Sequence, residues 1–377
     1  MYEFITRSLI IILCFIMLLV PAQADHLDNI DQLVSDTSAG LSALGGKTGT
    51  LMSKEEDFPA GTSVCDWTAI ALALSGSQEN YPRYLQNLQK YVETNYEKNG
   101  GLDHIKSTPY HRIALTALAL GSNPREFGTK SDGTPIDLVA DGTYAFAGNS
   151  IGDQGLNGWI YALITLDAEN TQISGDVKFT REDMIHAIIS AQEPDGGFGL
   201  IKGKSDVDIT AMALQALAPY AQKYPLVVDH ALAYLSGEMN EDCLYSAYGT
   251  ENAESSAQVI LALCALGIQP ETDMRFCRGE NTLLSGLKRF HKEDNTFGHT
   301  QEDAKGDFLA TAQVLLALTA LQKLYSGNGR IFDFTDYTGP NLKPDHGIHY
   351  AIALFILILI VLIIITRKRK KHAQNNR

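Results

Sequence analysis

Six times along the chain a run of small and apolar residues recurs: Asp66-WTAIALAL, Pro109-YHRIALTAL, Asn157-GWIYALITL, Asp208-ITAMALQAL, Glu254-SSAQVILAL and Leu309-ATAQVLLAL. Their starts lie 43, 48, 51, 46 and 55 residues apart, a period that suits a two-helix repeat. Two positions after each start stand Thr68, His111, Trp159, Thr210, Ser256 and Thr311. Ahead of most copies comes a more charged amphipathic segment, as in Tyr84-LQNLQKYVETNY, Arg181-EDMIHAIISAQ, Val228-DHALAYLSGEM and Thr282-LLSGLKRFHKE. Glycine-bearing loops join the two, among them Asn99-GGLDH, Asp141-GTYAFAG, Asp195-GGFGL, Asp242-CLYSAYG and Asn295-TFGH. No strand-like alternation of any length is present, and residues 26–44 can supply a first outer helix. The pattern predicts an all-α domain over residues 25–325. About six hairpins would close into an (α/α)6 toroid, parallel inner helices inside antiparallel outer ones. An open solenoid is the structural alternative.

The two ends read as targeting and anchoring segments. Residues 1–24 hold Arg7, an apolar run from Leu9 to Val20 and small residues at Ala22 and Ala24, the pattern of a signal peptide cleaved before Asp25. Residues 326–349 are polar, aperiodic and rich in glycine and proline, and predict a short stalk. Residues 350–366 carry no charge and predict a transmembrane helix with Tyr350 at one interface. The basic tail, 367–377, opens with Arg367, Lys368, Arg369, Lys370 and Lys371 and assigns that side to the cytoplasm. The expected topology is single-pass, with the N-terminal domain extracellular. Without the tail's six basic residues, the formal charge of -14 becomes about -20 on the exported part. So acidic a surface argues against nucleic acid and anionic headgroups as partners. Cys65, Cys243, Cys264 and Cys277 remain after export, and their spacing fixes no pairing.

The best-kept copy reads Gln192-EPD-Gly196-Gly-Phe198, then Asp206-Val207-Asp208-Ile209-Thr210-Ala211. The first part resembles the QW-type repeat of the prenyltransferase and squalene-cyclase superfamily, with Phe198 where tryptophan is typical. The resemblance covers nearly the whole exported segment and implies the (α/α)6 toroid. Class II terpenoid cyclases of that superfamily carry Asp-x-Asp-Asp-Thr-Ala. Here Ile209 replaces the third acid, which leaves Asp208 as the alternative general acid. Prenyltransferase subunits bind zinc through Asp, Cys and His. In Asp307-Phe-Leu-Ala310-Thr311 the histidine position is alanine, so no metal site is expected. The stretch Val207-Asp208-Ile-Thr-Ala211-Met212-Ala213 is similar to the cobalamin carriers of the transcobalamin and intrinsic-factor type, and to bacterial surface proteins that look like them. That likeness implies a non-enzymatic protein with no cofactor of its own. It would capture a small molecule, a corrinoid among the candidates, for a membrane transporter, with a Gram-positive surface as its setting. A surface module that meets another protein is the third possibility.

In such a ring all six inner-helix N-termini open on one face, where their free N–H groups favour acceptors and anions. Asp66, Asn157, Asp208 and Glu254 are expected at that rim, either as helix caps or as groups aimed into the mouth. Asp307, two residues before the sixth start, is a further candidate for binding a ligand there. Gln258 and Gln313 are equivalent positions one turn deeper, and an inward glutamine needs a partner. His111, flanked by Tyr110 and Arg112, is either structural or a ligand contact. Trp67, Trp159, Tyr144, Tyr161, Tyr245 and Tyr248 are candidates for an aromatic wall or for packing under loops. Met212 reads as core. No Gly-x-Ser-x-Gly, His-Glu-x-x-His or phosphate-loop motif occurs.

Overall fold

A computed structural model describes residue 27, residues 29–175 and residues 177–340. The segments read as signal peptide, transmembrane helix and basic tail, and the last nine residues of the expected stalk, lie outside the described residues. Among the described residues twelve α-helices follow in order. They are α1 (29–43), α2 (Ser63–Leu74), α3 (Tyr81–Asn99), α4 (Thr108–Ala119), α5 (Leu138–Gly142) and α6 (Leu156–Asp167). After them come α7 (Arg181–Ile189), α8 (Val207–Leu217), α9 (Pro225–Glu238), α10 (Ala253–Ala265), α11 (Leu283–Leu287) and α12 (Phe308–Ser326). The even-numbered helices form a closed cycle of neighbours: α2 packs on α4, α4 on α6, and so on to α12, which returns to α2. Helices α5, α7, α9 and α11 each pack on the even-numbered helix before them.

The sequence explains both sets. In the even-numbered helices one equivalent position holds Ala71, Ala114, Ala162, Ala213, Val259 and Val314, all of them fully buried. Small side chains there let neighbouring backbones approach closely on both sides. Helix α3 instead buries a single stripe, Tyr81, Tyr84, Leu88, Val92 and Tyr96, at spacings of three and four residues, and leaves its other side in solvent.

The repeated Thr position has a definite task. Thr210 Oγ1 accepts from Phe198 N at 2.8 Å and donates to Asp206 O at 2.7 Å. Thr311 Oγ1 accepts from Phe297 N at 3.0 Å. Each hydroxyl thus pins a loop whose phenylalanine is fully buried. His111, at the same position of α4, bonds Gly142 O at 2.6 Å through Nε2 and so holds the end of α5. The Asp141-Gly142 stretch, expected in a loop, forms part of that short helix.

Two further findings depart from the sequence reading. Strands are present, as three antiparallel hairpins too short to show alternation. β1 (Phe198–Ile201) pairs with β2 (Lys204–Asp206), β3 (Ser246–Ala247) with β4 (Thr250–Glu251), and β5 (Cys277–Arg278) with β6 (Asn281–Thr282). Second, the residues before 341 in the expected stalk are packed against the helices. Ile331 and Phe334 are buried, Phe334 N donates to Ala168 O at 2.7 Å, and Tyr337 Oη donates to Ala119 O at 2.9 Å. Residues 327–340 are therefore a strap across the C-terminal ends of α4 and α6. It can lie so close because Gly339 meets Gly121, both with positive φ; a Cβ added to either would sit 2.9 Å from the other's Cα.

One described helix, α12, is long and apolar enough by length and composition to cross a membrane. Within the fold, 61% of its apolar window is buried, as befits a core helix. The four described cysteines are free thiols: Cys65, Cys243 and Cys264 buried, Cys277 partly so.

Candidate central cavity and rim

The cycle of even-numbered helices encloses a cavity of about 160 Å³. One wall is aromatic: Trp67 from α2 and Tyr161 from α6, ring centroids 5.7 Å apart and tilted by 55°. The opposite wall is amide, with Gln215 from α8, Gln258 from α10 and Gln313 from α12. Gln215 Nε2 donates to Gln258 Oε1 at 2.9 Å, and Gln258 Nε2 donates to Gln313 Oε1 at 3.0 Å. This relay answers the demand that buried amides find partners, because each middle group bonds the next. It also leaves two open ends, the Gln215 carbonyl and the Gln313 amino group, neither of which has a hydrogen bond among the described residues. Phe332 of the strap forms the floor, edge-on to Trp67 at 6.3 Å. No side chain lining the cavity is charged.

Asp208 stands one turn above Met212, which also lines the cavity. Burial raises its carboxyl to about 6, with Asp206 and Glu254 adding repulsion and the Ser255 hydroxyl offsetting part of the rise. Its Oδ1 is buried with no hydrogen-bond partner among the described residues. Asp208 in turn helps to push the Tyr161 phenol upward, although burial of the ring is the larger cause. Asp208 and Tyr161 therefore share one neighbourhood at the cavity's upper end.

The caps are not where the repeat alignment placed them. In α8 the cap is Asp206, which accepts from Ile209 N at 3.0 Å, and Asp208 is the second helical residue. In α10 it is Asn252, which accepts from Ser255 N at 2.8 Å. The repeat start therefore lies one residue inside each of these helices, which frees Asp208 and Glu254 from capping. Glu254 Oε2 pairs with His299 Nδ1 at 2.9 Å; burial raises its carboxyl, and the histidine offsets part of that. Asp307 does cap, accepting from Ala310 N at 2.9 Å, and is exposed. Asn157 lies in the first turn of α6 with Gln154 beside it, and Gln154 bonds Thr108 of α4.

Three expected site residues are held elsewhere. Asp66 is fully buried inside α2, where Arg112 Nε reaches its Oδ2 at 2.8 Å and Tyr84 Oη its Oδ1 at 2.7 Å. Arg112 also donates to Gly61 O at 2.8 Å, so this cluster ties α2, α3 and α4 together. Tyr110 is buried, and its hydroxyl accepts from Leu102 N at 2.8 Å, clamping the loop after α3. Burial drives the His111 imidazole down to about 4, so it is neutral, with Nδ1 lacking a partner among the described residues. None of the three lines the cavity. Among the other aromatics, Trp159 packs on Phe179, Tyr245 is buried with its hydroxyl on Leu235 O, and Tyr248 is 96% exposed at a hairpin turn.

Trp67, Tyr161, Gln258 and Gln313 are thus the expected residues that the structure brings together. Gln215 was missed because it sits a turn deeper in α8 than the aligned glutamines do in α10 and α12. Phe332 was missed because the segment around it carries no periodicity. Among the described residues no group of three or more His, Cys, Asp or Glu side chains is placed to hold a metal ion. No protein-family model matches the chain, and no curated protein matches it in sequence.

Proposed function

We propose that this chain is an exported, membrane-anchored binding protein of the prenyltransferase and squalene-cyclase type of (α/α)6 toroid, without catalytic activity. Residues 1–24 would direct export, residues 350–366 would anchor the domain, and the bound molecule would pass to a membrane transporter. The observation that supports this reading best is the central cavity, with its aromatic wall, its uncharged lining and two unfilled hydrogen-bonding ends. Such a lining orients a ligand through a few polar groups without supplying acid, base or nucleophile.

Size constrains the corrinoid version. Drug-sized ligands occupy pockets of roughly 300–1,000 Å³, and this cavity holds about 160 Å³. A corrinoid would therefore rest across the mouth at the inner-helix N-termini, near Asp208, Glu254 and Asp307, with one substituent entering. Gel filtration of the purified protein with a cobalamin series, read by corrinoid absorbance, tests this. Co-elution is expected, and none at high micromolar ligand overturns it.

One observation favours a second reading. Asp208 is half-protonated near pH 6, beside Asp206 and above the cavity, so it can deliver a proton to a substrate there. Against a cyclase stands Ile209, buried where a third acid would be needed. If Asp208 is a general acid, Asp208→Asn abolishes turnover of a terpenoid substrate. If the protein only binds, the same change adjusts affinity alone.

A further inference from the structure

We infer that the cavity accepts one uncharged, ring-sized molecule bearing an amide-type group, which stacks on Trp67 and Tyr161 and completes the glutamine relay at Gln215 or Gln313. This rests on the binding reading and names the ligand class for it.

Three features carry the argument. The volume, about 160 Å³, is close to that of an apolar cavity of roughly 150 Å³ that holds a single benzene ring. The walls select for charge. An anion or a cation would enter with no counter-charge among the lining side chains, and an unpaired buried ion is costly. The relay selects for the polar group. Its bonds run in one direction, so the Gln215 carbonyl at one end and the Gln313 amino group at the other take no part in it, an acceptor and a donor left for a ligand. A carboxamide carries both complements and can extend the chain at either end, where each added amide bond polarises those before it. A hydrocarbon of the same size would leave both ends dry and unbonded.

The strap sets the length. Phe332 separates this cavity from a second hollow of about 30 Å³ beneath it, which Gln215 also borders and which Ile164, Asp167 and Arg330 help to line. Shortening Phe332 joins the two and lengthens the space available to a ligand. Phe332 is therefore the specificity-determining residue in this arrangement.

The chain's two tryptophans make the test direct, since Trp67 is in the cavity and Trp159 is not. Trp159→Phe leaves Trp67 as the sole reporter in the full chain, held in lipid nanodiscs. Benzamide should quench its emission with a Kd on the order of 1 mM, the range open to so small a ligand. Benzoate and benzylammonium should bind at least about tenfold more weakly. Gln215→Leu and Gln313→Leu, checked by circular dichroism and replaced by Gln→Met if either fails to fold, should each weaken benzamide about three- to tenfold. Phe332→Ala should admit 2-naphthamide, which the parent excludes. Equal quenching by benzamide and benzoate overturns the inference. So does an absence of quenching by benzamide alongside co-elution of a corrinoid, a result that leaves the binding function standing.

Discussion

Asp208 is half-buried, with one carboxylate oxygen buried and unbonded among the described residues, and its folded-state value of about 6 lies above the ordinary 3.8. A raised carboxylate stabilises the fold only while it is protonated. Its contribution is complete below pH 3.8 and is lost as pH rises through about 6. By pH 7 the cost is roughly 2 to 3 kcal/mol. Asp208→Asn is expected to raise the melting temperature above pH 6 and leave it nearly unchanged below pH 4. Melts of both proteins across that range check this, and a difference that does not vary with pH refutes it. Arg112→Ala should act the other way, stranding the fully buried Asp66, at about 3–5 kcal/mol by denaturant titration. The sequence marked Asp66 and Asp208 as equivalents, and by position they are. What it did not carry is direction. Arg112, 46 residues from Asp66, turns one carboxylate into a structural ion pair, while the other meets only acids and a hydroxyl.

At the level of the element, the six apolar helices were legible because small residues must recur wherever backbones press together. Five of the six aligned starts fall one residue inside the observed helix, and the sixth falls three inside. The hairpins were not legible, since a strand of two to four residues leaves no period to detect. They stand before α8, α10 and α11, where the chain turns into a helix, and the Thr hydroxyls fix the loops feeding α8 and α12. Thr311→Val keeps the shape of the side chain but leaves the buried Phe297 N–H unbonded. A loss of about 1–3 kcal/mol is expected, measured by chemical unfolding. Thr319→Val is the control, because that hydroxyl bonds only a carbonyl within its own helix.

At the scale of the whole molecule, a closed cycle differs from a solenoid in having no free terminal repeat, since α12 rests on α2. Unfolding should therefore be a single transition rather than a progressive fraying, and a melt followed by Trp67 and by far-ultraviolet circular dichroism should give coincident curves. The strap belongs to this closed unit although its sequence reads as a linker. Ile331, Phe332, Phe334 and Tyr337 are its apolar anchors, and glycine, proline and aspartate around them hide the signal. A chain ending at residue 326 should melt several degrees below one ending at residue 340, because Ile331 and Phe334 lose their buried sites.

The strap also defines a load path. Any pull arriving along the backbone from beyond residue 340 meets first the Gly339–Gly121 contact, then the Tyr337 hydroxyl on Ala119 O, then the Phe334 amide on Ala168 O. Only after all three have parted does it reach Phe332. These contacts are arranged in series and yield one at a time, like the teeth of a zip, rather than sharing the force. The cavity floor thus opens under tension only after these three contacts have parted, when the strap has been peeled almost to α12.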